Sequence, residues 1–223
     1  MRLLVGAGLP ADAPLTEVYA APRTPWLRAN MVATVDGAAT GESGKSGSIN
    51  NPADKQVFDT LRVLADAIVV GAGTARAEGY GPAAKPIVLV SRRADVPPKL
   101  RGAALGQVLM ATVSGSEGLA EARDLLGADH VLTLGSHTVD LALLKQTLVE
   151  RGLVDLLSEG GPHLLGDLLR QGVADELSAT VVPRLLAGDH ARILAGAPLD
   201  VPLSLHTLLE QDGTLLARWF VER

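Results

Sequence analysis

A chain of 223 residues with 47% hydrophobic content can bury a substantial core, and its formal net charge of −5 argues against non-specific nucleic-acid binding. There is no cysteine, which excludes disulfides, thiolate zinc sites and cysteine nucleophiles. Aromatic residues make up only 3%, so the core must be built from Leu, Val, Ala and Ile, and no stretch approaches the ~18 apolar residues of a membrane span.

The first residues, Met1 to Pro10, are apolar but short, and Asp12 and Glu17 follow soon after. They read as a mature N-terminus rather than a signal peptide, with residues 1–24 as an irregular lead-in. Trp26 to Val35 reads as the first core strand. Residues 36–51 form a long polar stretch rich in glycine, and a loop of that length inside a compact domain is functional or mobile. Asn51-Pro52 marks a helix start, with Asn as cap and Pro at the first position. Val57, Phe58, Leu61, Leu64 and Ala65 form that helix's buried face.

Short apolar strands then alternate with helical segments. Residues 66–70, 86–90, 107–113, 130–134 and 153–157 read as strands, and 116–126, 139–151 and 162–171 as helices. Such alternation predicts parallel βαβ units in an α/β domain covering residues 1–223. Residues 175–182, 203–209 and 214–221 read as strands without a long helix between them, which predicts an antiparallel finish.

Two strand–glycine–helix corners carry the strongest functional signal. Leu153–Leu157 runs into Glu159-Gly160-Gly161-Pro162 and an amphipathic helix. The glycines allow a tight turn and a close ligand approach, and a helix N-terminus suits a phosphate. Asp66–Thr74 repeats the pattern with Gly71-Ala72-Gly73, although Arg76 stands where the dinucleotide fingerprint has its third glycine. An elongated diphosphate ligand fits both corners; two ordinary αβ connections are the plain alternative. Glu159 is the one charge in its turn, so its carboxylate is expected to point away from an anion.

Further candidates are weaker singly. Asp36 ends the first strand, as a turn residue or as a ligand contact. Arg62 lies at the edge of its helix's apolar face, and with Ser46 and Lys85 it could complete a phosphate site. Ser91-Arg92-Arg93 follows a strand directly, the kind of group that grips the 2′-phosphate of NADP, or else a solvated basic loop. The five histidines, His130, His137, His163, His190 and His206, lack ligand spacing, so no metal site is expected. No Gly-x-Ser-x-Gly elbow or Walker loop appears, and a cofactor-borne hydride transfer needs neither.

Asn30–Gly37, Val69–Glu78 and Glu159–Pro162 through Gly172–Leu177 together resemble the pyrimidine reductase family of riboflavin biosynthesis, from about residue 24 onward. Without a cysteine-bearing zinc deaminase signature, the chain looks like the stand-alone reductase. The resemblance implies a dihydrofolate-reductase-like fold: a three-layer mixed, mostly parallel sheet with helices on both faces and antiparallel C-terminal strands. It implies NADPH as cofactor, a cytoplasmic homodimer, and a phosphorylated pyrimidine of the 5-amino-6-(5-phosphoribosylamino)uracil type as substrate, with neither nucleic acid nor membrane as partner. Cofactor contacts are implied at Val32, Thr34, Ser48, Thr74, Glu78 and the turn Gly160, Gly161, Pro162, His163, Leu164, Leu165 and Gly166, with Ser91 and Arg92 added from the basic loop. Substrate contacts are implied at Ser46, Arg62, Pro82, Lys85 and Glu159. Glu159, Asn30 and Asp36 are the expected catalytic group, facing the sugar. Glu78, Lys85, His163 and Asn30 replace the family's commoner Asp, Arg, Thr and Lys. A dihydrofolate or pteridine reductase, and a non-catalytic NADPH-binding paralogue, stay open as alternatives.

Overall fold

The computed structural model describes residues 1–6 and 8–222. Ten strands form one sheet: β1 (Arg2–Gly6), β2 (Trp26–Thr34), β3 (Ala67–Gly71), β4 (Ile87–Val90), β5 (Val108–Thr112), β6 (Val131–Thr133), β7 (Asp155–Ser158), β8 (Glu176–Val182), β9 (Leu203–Gln211) and β10 (Thr214–Val221). Their order across the sheet is β1-β9-β10-β8-β2-β7-β3-β4-β5-β6. From β8 to β6 every ladder is parallel; β1, β9 and β10 pair antiparallel. The expected antiparallel finish is therefore present, at one end of an otherwise parallel sheet.

The helices are α1 (Leu15–Val18), α2 (Pro52–Leu64), α3 (Ala72–Glu78), α4 (Leu119–Leu126), α5 (Leu141–Glu150) and α6 (Pro162–Arg170). Strand side chains alternate between faces, so adjacent residues enter different cores. Val69, Val88 and Leu109 pack with Leu144 and Leu148 of α5 and Leu164 and Leu168 of α6. Their neighbours Val70, Leu89 and Met110 pack on the other face with Ala75 of α3 and Leu126 of α4. Val57 and Leu61 of α2 cover Leu157, Leu209 and Leu216. The result is three layers, as expected from the resemblance. Among the described residues no helix is long and apolar enough to cross a membrane.

Asn51 caps α2 as its sequence predicts, its side chain accepting from the Asp54 amide at 3.0 Å. Phe58 and Leu64, expected on the buried face, are only half-buried. The lead-in is not irregular throughout: Arg2–Gly6 forms the edge strand β1 against β9, and α1 buries Val18. A five-residue strand whose partner lies at the other end of the chain leaves no local pattern to detect.

One buried ionic cluster ties α1 to the sheet. Glu176 of β8 accepts from Arg28 Nε at 2.7 Å, from Arg218 Nη2 at 2.8 Å and from Trp26 Nε1 at 2.8 Å. The spare guanidinium hydrogens go to backbone carbonyls: Arg28 to Tyr19, and Arg218 to Val18 and Ala20. Burial pushes the Glu176 carboxyl up, but the hydrogen bonds and charges of Arg218 and Arg28 outweigh it and hold the group below its usual range. Replacing Glu176 by Ala leaves two guanidiniums buried without their carboxylate, a loss of about 3–5 kcal/mol. A guanidinium chloride titration should show that drop, whereas Arg23→Ala, whose side chain is 63% exposed beside Asp175, should move stability by less than about 1 kcal/mol. Equal midpoints for Glu176→Ala and the unaltered chain would contradict this account of the cluster.

Candidate active site

The site begins where two parallel strands part. β2 pairs with β7 only from Trp26↔Asp155 to Ala29↔Ser158. Beyond that point β2 continues beside β8 as far as Thr34↔Val182, while the β7 chain turns away into α6. Asn30, Met31, Val32 and Ala33 are therefore half-exposed on a central strand. A crevice at the carboxyl ends of parallel strands, where neighbouring chains diverge, is the usual ligand position in α/β sheets.

Both glycine corners meet at this rim. The Gly71 amide donates to the Gly160 carbonyl at 2.9 Å. The Gly161 amide donates to Thr74 Oγ1 at 3.0 Å. A side chain has no room at either residue of the second corner: Gly160 has a φ of +84° and its Cβ would lie 3.0 Å from the Met31 sulfur, and a Gly161 Cβ would lie 2.3 Å from Thr74 Oγ1. The Gly160–Gly161 peptide is cis. α3 and α6 start at these corners with Gly71 and Gly161 as caps, neither of which supplies a side-chain acceptor. Their leading N–H groups lack helical partners, which suits an anion. Gly166, further along α6, lets the backbone of Ala195 come close, since a Cβ there would be 2.5 Å from its carbonyl oxygen.

Glu159 points away from the corners. Its carboxylate accepts two bonds from Arg62, at 2.6 and 2.7 Å, and one from the Tyr80 hydroxyl at 2.6 Å. The Arg62 guanidinium stacks on Phe58, 4.4 Å from the ring centre. Hydrogen bonding to Glu159 raises the Arg62 pKa, and burial with the nearby carboxylate pushes the Tyr80 phenol far up, so it stays protonated and donates. Tyr80, Phe58 and this pairing were not foreseen as site features; the available signal was that a chain with only two tyrosines puts one between two glycines after the first corner.

The other candidate residues fall into two groups. Several brace the 36–51 loop. Glu78 accepts from the Ser46 amide at 2.8 Å; the Ser48 hydroxyl donates to the Lys45 carbonyl and accepts from the Gly41 amide; Arg184 donates to the Ser48 carbonyl at 2.8 Å. Asp36 accepts from Thr34 and from the Leu186 and Ala187 amides at 3.0 and 2.8 Å, bonds that hold its exposed carboxyl down to about 2. Others stand along the rim. Ser91 and Arg92 follow β4, and the Ser91 hydroxyl accepts from the Arg93 and Asp95 amides. Lys85 is half-buried and Pro82 exposed; among the described residues no hydrogen bond or ion pair joins Lys85 to Arg62 or Ser46.

This architecture is a dihydrofolate-reductase-like fold: the dihydrofolate reductase of Enterococcus faecalis, solved with NADP(H), superposes with a TM-score of 0.50 at 13% identity over 89% of this chain and 98% of that one. A pyrimidine reductase-like protein from Corynebacterium diphtheriae superposes with a TM-score of 0.75 at 25% identity over 96% of each chain. The chain belongs to the RibD C-terminal domain family, which matches residues 25–213. It is 30% identical over 182 residues, 76% of its length and 83% of the relative's, to the 2,5-diamino-6-ribosylamino-4(3H)-pyrimidinone 5′-phosphate reductase of Methanothermobacter thermautotrophicus.

The contact between the corners makes a double-mutant prediction. Gly161→Ala should lower the melting temperature by several degrees, and in a Thr74→Ala background the same change should cost less, because the hydroxyl it strikes is gone. Strictly additive melting shifts would show that the corners do not touch.

Proposed function

We propose that this chain is a cytoplasmic, NADPH-dependent reductase that converts the ribosyl chain of a 5-phosphoribosylamino-pyrimidine to a ribityl chain. The observation that carries this reading is the pair of interlocked glycine corners beside the half-exposed segment of β2. The cradle fits a dinucleotide. His163 and Leu164, the leading N–H groups of α6, would take the pyrophosphate beside Thr74, Gly160 and Gly161. Pro162, Leu165 and Gly166 would line it, since Pro162 has no N–H and the Leu165 amide is donated to the Gly161 carbonyl. Val32 and Thr34 would flank the nicotinamide. Ser91 and Arg92 lie at the end of β4, two strands beyond β7, in line for the 2′-phosphate. When bound, NADPH supplies the hydride.

The protein's own groups then position the substrate. Arg62, its Nε and Nη2 committed to Glu159, offers its remaining edge to the phosphate, with Ser46 and Lys85 alongside. Two cations favour a phosphorylated substrate over an unphosphorylated bicyclic ring. Glu159 and Asn30 face the sugar, and Asp36 holds the loop that closes over it. Ser48 and Glu78 act through the same loop, and Pro82 borders the substrate end. All these parts belong to one reductase domain.

A homodimer completes the proposal. On the sheet face carrying Met31 and Ala179, the row Ala33, Val181 and Leu215 is only partly covered, and Leu215 is 38% exposed. An apolar strip of that kind suits a second copy. Sedimentation velocity should give a dimer, and Leu215→Glu should shift it toward monomer. For the cofactor, Arg92→Ala should weaken NADPH by about tenfold or more, the worth of one charge-assisted hydrogen bond, and leave NADH unchanged in calorimetry. No binding of either nucleotide to the unaltered chain would sink the reductase reading as a whole.

A further inference from the structure

Residues 183–202, between β8 and β9, form a strap that the proposed chemistry leaves unused. Backbone hydrogen bonds pin it to two elements that bound the crevice. Just past β2, the Val35 amide donates to the Arg184 carbonyl at 3.0 Å and the Ala39 amide to the Ala191 carbonyl at 2.7 Å. At the start of α6, the Ala195 amide donates to the Pro162 carbonyl at 3.2 Å. Leu194 and Ala195 pack on Gly166, where a Cβ would lie 3.7 Å from Leu194 Cδ1. The opening turn of α6 therefore touches both the strap and, through Gly161, the Thr74 corner.

Arg192 stands between these pins. Ala191, just before it, is held to Ala39; Ala195, three residues on, is held to Pro162, so at most about 10 Å of chain separates Arg192 from the α6 contact. Its side chain is exposed and makes no hydrogen bond or ion pair among the described residues. The cradle proposed for the pyrophosphate consists of N–H groups and one hydroxyl. A diphosphate diester carries two negative charges, and a helix N-terminus offers only about half a positive one. A guanidinium is the group that best supplies the rest, because its fork matches two phosphate oxygens.

Other arginines near the cradle are committed: Arg62 to Glu159, Arg76 to Asp95, Arg170 to Asp167, and Arg184 to the Ser48 carbonyl. Five cationic side chains have no partner among the described residues: Lys45, Lys85, Arg92, Arg93 and Arg192. Lys45 lies in the 36–51 loop, and Lys85, Arg92 and Arg93 flank β4. Arg192 is the one of these five that the chain holds beside α6.

We propose that Arg192 is a cofactor-binding residue that grips the diphosphate of the nicotinamide dinucleotide from the strap. This rests on the reductase reading above. The pins are backbone bonds, so the guanidinium is free to swing onto the ligand while the strap stays in place. The diphosphate is common to NADPH and NADH. Arg192 therefore contributes affinity for both, whereas Arg92 at the end of β4 distinguishes them.

The test is calorimetric titration of the full chain and of Arg192→Ala with NADPH and with NADH, with circular dichroism confirming the fold. Loss of one charge-assisted contact should weaken both nucleotides by about tenfold or more, and by the same factor. The loss should shrink between low salt and about 0.5 M sodium chloride, because an exposed ionic contact is screened. Unchanged affinities in Arg192→Ala overturn the proposal. So does a loss confined to NADPH, which would move the residue to the 2′-phosphate, or a loss that salt does not reduce. If NADH binds too weakly to titrate, the size and salt dependence of the NADPH loss decide. Binding of neither nucleotide to the unaltered chain is a different result, and it removes the reductase reading on which the proposal stands.

Discussion

The whole site depends on the ladder between β2 and β7 stopping at Ala29↔Ser158. A central strand that loses a neighbour half-way along exposes backbone in the middle of a sheet, which proteins normally avoid. Here the break is bounded. On one side β8 stays paired to β2 as far as Thr34↔Val182. On the other, the glycine corner begins at once, because Gly160 takes a φ of +84° that redirects the chain. The strand's alternation divides the exposed stretch between faces. Asn30 and Val32 lie on the face of Arg28 and Thr180, where α2 packs. Met31 and Ala33 lie on the α6 face, and the Met31 sulfur sits against Gly160.

Such a crevice keeps its shape only if β2 and β8 cannot slip. The buried cluster around Glu176 opposes slippage at the closed end. Arg28 and Glu176 are partners in the ladder, and Arg218 lies two residues along β10 from the position facing Glu176. A one-residue shift would turn these charges to the opposite face of the sheet. Buried ion pairs contribute little to stability compared with apolar residues of the same volume. What this one contributes is register, and through the carbonyls of Val18, Tyr19 and Ala20 it also places α1.

Much of this was legible because it is local. Each expected strand from 66–70 onward lies within about two residues of its observed bounds, since apolar runs and their breakers are read within a short window. The Asn51 cap and both glycine corners are short-range signals of the same kind. Contacts between distant segments were not legible. Nothing near Arg2–Gly6 announces a partner at Leu203–Gln211. Arg62 could be placed at a helix edge, but not opposite a carboxylate 97 residues away. The resemblance implies cofactor contacts at Ser48 and Glu78, and nothing in their sequence announces the hydrogen bonds by which they also brace the 36–51 loop. A motif shows that a position matters, while only the fold shows which neighbour it serves.

The charge arrangement at Glu159 shows why that distinction matters. A carboxylate directly before an anion-seeking helix N-terminus should weaken anion binding there. The turn at Gly160 separates the two groups: the Gly161 amide faces Thr74, while the Glu159 carboxylate faces Arg62 and Tyr80. Three hydrogen bonds from Arg62 and Tyr80 then occupy that carboxylate. The same bonds, with the Phe58 ring, hold Arg62 in a fixed pose, so less side-chain freedom is left to lose when a ligand arrives. They also cancel much of its charge. An immobilised but largely neutralised guanidinium gives direction more than attraction, so the attraction for a phosphate must come from a cation without a carboxylate partner. Lys85, half-buried and in no ion pair among the described residues, meets that requirement, as does Arg92 at the end of β4.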